Sequence, residues 1–305
     1  MKRKKCDELL NEFKLQKVEF KANKLKFVLN DNKDIYNITA PFEIDNEVVI
    51  AGRVESRDSE HSKIMFFKEI ENEWRVIEGT PIFDLQDPFV TKINGELVLG
   101  GVEIYETGNE DMPICYRTVF LKGNSLKKLE RFAVGPDRMK DIRLLELSNN
   151  KILVFTRPQG EIGNRGTIGY FIMRSLEELT IENIESAKLL DNMFYEEEWG
   201  GANELHLLED GTIGVLSHIA KFDNEGNRHY YSSVFTFNHE TSEYSKMKLI
   251  AIRDNFEEGA AKRPDLIDVI FSGGLIRKEN GQAELYCGVS DAEAHKILIR
   301  DPFKF

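Results

Sequence analysis

One hairpin design recurs five times along the chain: a β-rich run, a two-residue turn and a second β-rich run. The turns are Asp45-Asn46, Asn94-Gly95, Asn149-Asn150, Asp210-Gly211 and Asn280-Gly281. Asn-Gly and Asp-Gly are strong hairpin signals because both central residues of a type I′ turn take φ > 0. Repetition at a period of about 50 residues is the pattern of a β-propeller, in which each repeat is one four-stranded blade. The expected fold is all-β: a five-bladed β-propeller over residues 31–305, preceded by a short helix and a ring-closing segment over residues 1–30.

The repeats align by residue. Asn37, Asp87, Asp141 and Asn203 open the first four, and Asp265 opens a looser fifth. Sixteen positions after the first three openings stand Arg53, Glu103 and Arg157. The residues between are mostly apolar, as in strands packed on both faces. Further β-rich runs begin at Ser62, Cys115, Thr167, Tyr230 and His295, and are expected to be the outer strands. A β-sandwich with turn signals is the competing architecture, but it has no need of polar residues at matching places in consecutive repeats. Lys4–Lys14 has helical spacing through Leu9, Leu10 and Phe13, and is expected outside the propeller. Val18–Leu29 is β-like and is expected to close the ring by joining the last blade.

Composition narrows the function. The net charge of −12 argues against nonspecific nucleic-acid binding, which needs a basic face. The basic start is followed by Cys6-Asp7-Glu8 and no apolar core, so it reads as a solvated end and not a leader peptide. No run is long and apolar enough to span a membrane. Cys6, Cys115 and Cys287 are widely spaced and odd in number, which suits reduced thiols and a cytoplasmic location. There is no Gly-rich phosphate loop, GxSxG elbow, HExxH or CxxC spacing, and no cofactor or metal is expected.

Polar residues crowd the hairpin ends, which a propeller gathers around its axis. Arg53 and Glu55 begin a charged run through His61 that is either functional or a solvated loop. Asp87 precedes Pro88, and Glu103 closes the same hairpin; a carboxylic acid in a desolvated channel would have a raised pKa and donate a proton. Arg138, Lys140, Arg143 and Arg157 form a cationic group suited to phosphate, with salt bridges to Asp137 and Asp141 as the plainer reading. Trp199, Asn203 and Glu204 fit a sugar platform with hydroxyl-holding groups, although Trp199 equally fits blade-packing core. His218 and Tyr231 lie beyond that hairpin. Lys262, Arg263 and Asp265 face Asp291 across the fifth.

At NITAPF, AGRVESRDSEHS, LQDPFV, GPDRMKDIR, FTRPQG, WGGANELH, AKRPDL and SDAEAH, in this order over residues 35–302, the chain resembles the mannosyltransferase/phosphorylase family. That family is glycosyltransferase family 108, formerly a domain of unknown function, and is related to the β-mannoside phosphorylases of glycoside hydrolase family 130. The resemblance implies inverting phosphorolysis of β-1,2-linked mannooligosaccharides to α-mannose 1-phosphate, or the reverse synthesis. Some relatives use a nucleotide-activated mannose. Inorganic phosphate or mannose 1-phosphate would be the co-substrate. By the matching aspartate-proline motif, Asp87 would be the general acid. Arg138, Lys140, Arg143, Arg157, Lys262 and Arg263 become phosphate candidates. Asn37, Arg53, Glu55, Glu103, Asp141, Trp199, Asn203, Glu204, His218, Tyr231, Asp265 and Asp291 become sugar candidates. A hydrolase on the same scaffold would need a second carboxylate opposite Asp87, from Glu204 or Asp265. A non-catalytic sugar-binding propeller is the remaining alternative.

Overall fold

The computed structural model describes residues 3–16, 20–29 and 32–304. Five four-stranded antiparallel units form the five blades of a propeller, the first enlarged by extra short strands. The innermost strands are Asp34–Tyr36 with Phe42–Ile44, Gln86–Ile93, Arg143–Glu146, Glu198–Leu207 and Ile270–Arg277. Each is followed by its hairpin partner and then by a third strand. The β-rich runs expected to be outermost are these third strands. The true fourth strands are short, such as Glu73–Val76 and Lys188–Leu189. Their brevity limits the edge available for pairing with another chain.

The fourth strand of the last blade is Lys21–Lys24, which pairs antiparallel with Glu293–Arg300. The N-terminal segment therefore closes the ring as expected. Val18, the start of that expectation, lies outside the described residues, as do Met1 and Lys2. The helix spans Cys6–Leu15, and the Glu8 carboxylate accepts the Lys5 backbone N–H at its start. It buries Cys6, Leu9 and Phe13 against Ile219, Leu249 and Ile252 on the outside of the fourth blade. Cys6, Cys115 and Cys287 are all free and buried.

All five hairpins form, but with two turn chemistries. Asp45-Asn46 and Asn94-Gly95 have φ > 0 at both positions, as a type I′ turn requires. At the other three only Asn150, Gly211 and Gly281 have φ > 0. There the loop holds three residues: Leu147 N–H donates to Lys151 C=O at 2.8 Å, and Asn150 N–H donates back to Leu147 C=O at 2.9 Å. That is a turn followed by a bulge, which needs one left-handed residue and not two.

Apolar side chains fill the gaps between blades, one cluster for each of the five gaps. Val49 and Phe66 of the first blade, for instance, meet Leu97 and Leu99 of the second. Sheets covered on both faces read as near-continuous apolar strands, which is why the hairpins lack strict alternation.

The innermost strands share an irregularity that aims side chains at the axis. Pairing skips a residue at Asn203 and at Gly273, and skips Asp87-Pro88. Asn37 and Asp141 sit at the same place just outside their ladders, and Asn37, Asp87 and Asp141 all have φ > 0. The structural counterpart of these residues in the fifth blade is Gly273, not Asp265. Asp265 lies in a short 3-10 turn, Pro264–Leu266, ahead of the strand. A Cβ on Gly273 would stand 1.5 Å from the Ile38 carbonyl oxygen, so no side chain fits where the ring closes.

Candidate active site

The irregular inner strands open onto a cleft at one end of the axis, with a cavity volume of about 220 Å³. Asn37, Arg53, Glu60, Gln86, Asp87, Lys140, Asp141, Arg157 and His218 line it from the first four blades. Arg228, Tyr230, Lys262, Arg263 and Asp291 complete the polar wall, with Leu266, Val269 and Phe271 as an apolar patch.

Asp87 is nine-tenths buried, in a left-handed backbone conformation beside Pro88. Pro88 has no N–H for the ladder, which suits the break in pairing there. The Asp87 Oδ1 accepts from Asn37 Nδ2 at 2.8 Å and from Arg53 Nη1 at 3.0 Å. Asn37 can approach because residue 288 is glycine; a Cβ there would lie 1.9 Å from Asn37 Oδ1.

Arg53 is held from behind by Glu55, whose side chain is fully buried. Glu55 accepts from Arg53 Nη2 at 2.9 Å and also from Tyr36, Ser62 and Lys262. Burial alone would raise the Glu55 pKa, but Arg53 and the other donors hold it below the ordinary carboxylate range. Glu55 is thus an anchor for two cations and not a sugar ligand.

The raised pKa expected for Asp87 is not found. Burial pushes it up, but the Arg53 and Lys140 charges and the Asn37 hydrogen bond bring it below the ordinary value. Asp291 goes the other way: burial, opposed by Arg53 and reinforced by the Asp87 carboxylate, raises it. One cleft therefore holds two carboxyl groups whose proton affinities are shifted in opposite directions.

Across the cleft, Asp141 lies 3.5 Å from Arg157 Nε and 4.0 Å from His218 Nε2. Burial raises the Asp141 pKa, but the Arg157, Lys140 and Arg143 charges outweigh it and keep the carboxylate ionised. His218 is fully enclosed, bonded through Nδ1 to Asn203 Oδ1 at 2.9 Å and stacked on Tyr230. Burial pushes its pKa down to about 3, so the imidazole is neutral at pH 7.

The cations differ in what they have to bind. Arg157 Nε donates to the Gly200 carbonyl at 3.1 Å and Nη2 to the Arg165 carbonyl at 3.4 Å, while the buried Nη1 has no hydrogen-bond partner among the described residues. Lys140 lines the same wall. Burial lowers its proton affinity, but Asp141, Tyr230 and Asp87 more than restore it, so it stays charged. Arg143, by contrast, is committed to the Asn203 and Ile142 carbonyls at 2.7 and 3.1 Å, and its guanidinium lies over Phe89.

Several expected residues therefore fall outside the cleft. Arg138 is exposed on a turn, and Arg143 is spent on backbone carbonyls. Glu103 pairs with Arg117 and Arg131 along the second blade. Trp199 is core: it packs on Phe222, and its Nε1 donates to Tyr230 OH at 2.8 Å. Tyr231 is buried and donates to Asp268 at 2.7 Å, so its neighbour Tyr230 faces the cleft. Asn203 orients His218 from behind. Glu204 accepts from the Leu275 N–H at 2.7 Å, and Asp265 pairs with Arg263 and Arg228; neither lines the cleft. Gln86, Arg228 and Tyr230 were not singled out by sequence; Gln86 adjoins Asp87, a signal that was available.

A five-bladed propeller whose axial cleft sets carboxylates against incompletely matched cations is the scaffold of a carbohydrate-active enzyme. The chain belongs to the family described as "Protein of unknown function (DUF1861)", whose model matches residues 11–305. It is similar to a mannose phosphorylase from Leishmania mexicana, MPT-4, solved in complex with a phosphate ion. The two share 33% identity over 97% of this chain and 93% of that one, with a TM-score of 0.89. MPT-1, a GDP-Man-dependent mannosyltransferase from Leishmania mexicana, matches at 33% identity over 98% of this chain and 95% of that one, with a TM-score of 0.88. A β-1,2-mannobiose phosphorylase from Listeria innocua shares the fold at 15% identity, covering 90% of this chain and 92% of that one, with a TM-score of 0.64. A search of curated proteins finds no match. The chain is an enzyme of the mannosyltransferase/phosphorylase family. Among the described residues no helix is long and apolar enough to cross a membrane.

Proposed function

We propose that this protein is an inverting mannoside phosphorylase, acting on β-1,2-linked mannooligosaccharides and releasing α-mannose 1-phosphate. The observation that carries the reading is the pair of Lys140 and Arg157 lining the cleft, with the buried Arg157 Nη1 unpartnered among the described residues. A buried guanidinium N–H without an acceptor is costly, and a phosphate oxygen satisfies it. The similar MPT-4 was solved with phosphate, which supports the same co-substrate here.

In this reading a phosphate oxygen, held by Lys140 and Arg157, attacks the anomeric carbon as the glycosidic C–O bond breaks. The leaving oxygen takes a proton from Asp87, directly or through a substrate hydroxyl. Lys140 is one of the charges holding Asp87 ionised. A phosphate dianion on Lys140 offsets that charge and raises the proton affinity of Asp87, so co-substrate binding itself prepares the acid. Asn37 and Arg53 fix the carboxyl. Tyr230 and the apolar patch of Leu266, Val269 and Phe271 offer a face for the sugar ring.

The hydrolase reading loses its two candidate bases, because Glu204 and Asp265 are held outside the cleft by other partners. The test is to incubate the protein with β-1,2-mannooligosaccharides with and without inorganic phosphate and to assay mannose 1-phosphate and free mannose. Phosphate-dependent mannose 1-phosphate is expected. Free mannose at equal rate in both tubes would overturn the proposal.

A further inference from the structure

The cations of the cleft fall into two groups, and one loop side chain separates them. The connection between Glu47–Glu55 and Lys63–Ile70 carries Glu60 to the rim, where Gln86 Nε2 donates to its backbone carbonyl at 3.0 Å. The Glu60 carboxylate accepts from Arg263 Nη1 at 2.9 Å and lies 3.2 Å from Lys262 Nζ and 3.7 Å from Arg53 Nη2. Asp265 matches the other side of Arg263 at 3.1 Å and also pairs with Arg228. Arg263 and Arg228 are thus matched by the rim carboxylates Glu60 and Asp265, and Lys262 by Glu60 together with the buried Glu55. Deeper in the cleft Arg157 lies 3.5 Å from Asp141, and Lys140 is in the fields of Asp141 and Asp87 but makes no ion pair within 4 Å among the described residues.

Resting on the phosphorylase reading, we propose that Glu60 sets the donor class: it confines anion recognition to one phosphate group and disfavours a diphosphate. A single phosphate on Lys140 and Arg157 meets donors that lack partners. A second phosphate extending toward the rim meets the Glu60 carboxylate and finds Lys262 and Arg263 already occupied. Like-charge juxtaposition of this kind excludes wrong partners without contributing affinity for the right one. The Glu60 side chain is 60% exposed, so its ion pairs add little to stability and its charge can be removed without disturbing the fold. The chain is equally similar, at 33% identity, to a mannose phosphorylase and to a GDP-Man-dependent mannosyltransferase.

The test titrates the wild-type protein, Glu60→Gln and Asp58→Asn with inorganic phosphate and, separately, with inorganic pyrophosphate by calorimetry. Asp58 is exposed on the same loop and controls for net charge. Glu60→Gln should tighten pyrophosphate by about tenfold and phosphate by less than about threefold, while Asp58→Asn moves both by less than about twofold. An unchanged pyrophosphate-to-phosphate ratio in Glu60→Gln, or an equal shift in Asp58→Asn, overturns the assignment. Lys140→Met is titrated alongside. If phosphate affinity does not depend on Lys140, the phosphorylase reading fails and takes this inference with it. If it does and the ratio is unmoved by Glu60→Gln, the Glu60 assignment alone fails.

Discussion

Lys140→Met isolates the phosphate wall better than any other change. Arg157 also supports two backbone carbonyls, so its loss mixes structure with binding. Lys140 is half-buried in the wall and is kept charged by the fields of Asp141, Tyr230 and Asp87. Methionine keeps the length of the side chain and removes the charge. A hydrogen bond to a charged group contributes about 1.5–3 kcal/mol, so the KM for phosphate should rise about 10- to 150-fold. Folding stability should fall by no more than about 1 kcal/mol, because the cost of burying the ammonium disappears with it. A second consequence follows from the field of Lys140 on Asp87. Burial pushes Asp87 up, and Arg53 and Lys140 push it down. Without Lys140 its pKa rises, so the alkaline limb of the activity profile should move to higher pH. The assay is initial-rate phosphorolysis with phosphate varied at saturating oligosaccharide, from pH 5 to 9, with urea unfolding as the stability control. A phosphate KM within twofold of wild type in a stably folded variant would refute the wall as the phosphate site.

Asp87→Asn should abolish turnover while sugar binding, followed by calorimetry, stays within a few-fold; retained activity removes Asp87 from the acid role. Glu55→Gln leaves Arg53 and Lys262 without their buried counter-charge and should cost about 3–5 kcal/mol in urea unfolding, with a loss under 1 kcal/mol contradicting the anchor role. His218 has a folded pKa of about 3 against an unfolded value of about 6.5, so the unfolded chain binds its proton first and stability present above pH 6.5 is lost as pH falls. That amounts to about 2 kcal/mol between pH 6.5 and 5, in the same direction as His295, whose pKa burial also lowers. His218→Gln should flatten the pH dependence of urea midpoints over that window; a slope equal to wild type would show that His218 is not its source.

Turn chemistry and apolar runs are local, and they were legible. Asn94-Gly95 and Asp45-Asn46 adopt the conformations their residue types favour, and Asn37, Asp87, Asp141 and Asn203 occupy one structural position because hairpin register ties them to their turns. Asp265 broke that register: the fifth repeat opens structurally at Gly273, where ring closure brings the Ile38 carbonyl too close for any side chain. No local pattern announces a contact made by the first blade upon the last. Tyr230 and Tyr231 show the same limit at one residue's scale, since adjacent strand residues face opposite ways and only the packed neighbours decide which side is the cleft.

The blade count, the hairpins and the band of polar residues at their ends follow from the order of residues, because they depend on interactions within a few positions along the chain. Which charges meet is settled by the packing of distant segments. Glu55 is matched by Lys262, 207 positions away, and Arg143 is spent on a carbonyl 60 positions away, while Arg157 keeps a buried N–H free beside Lys140. Charge partnership falls off steeply with distance and with exposure, so the role of each ionic side chain is set by the neighbours that ring closure delivers and not by its place in the repeat.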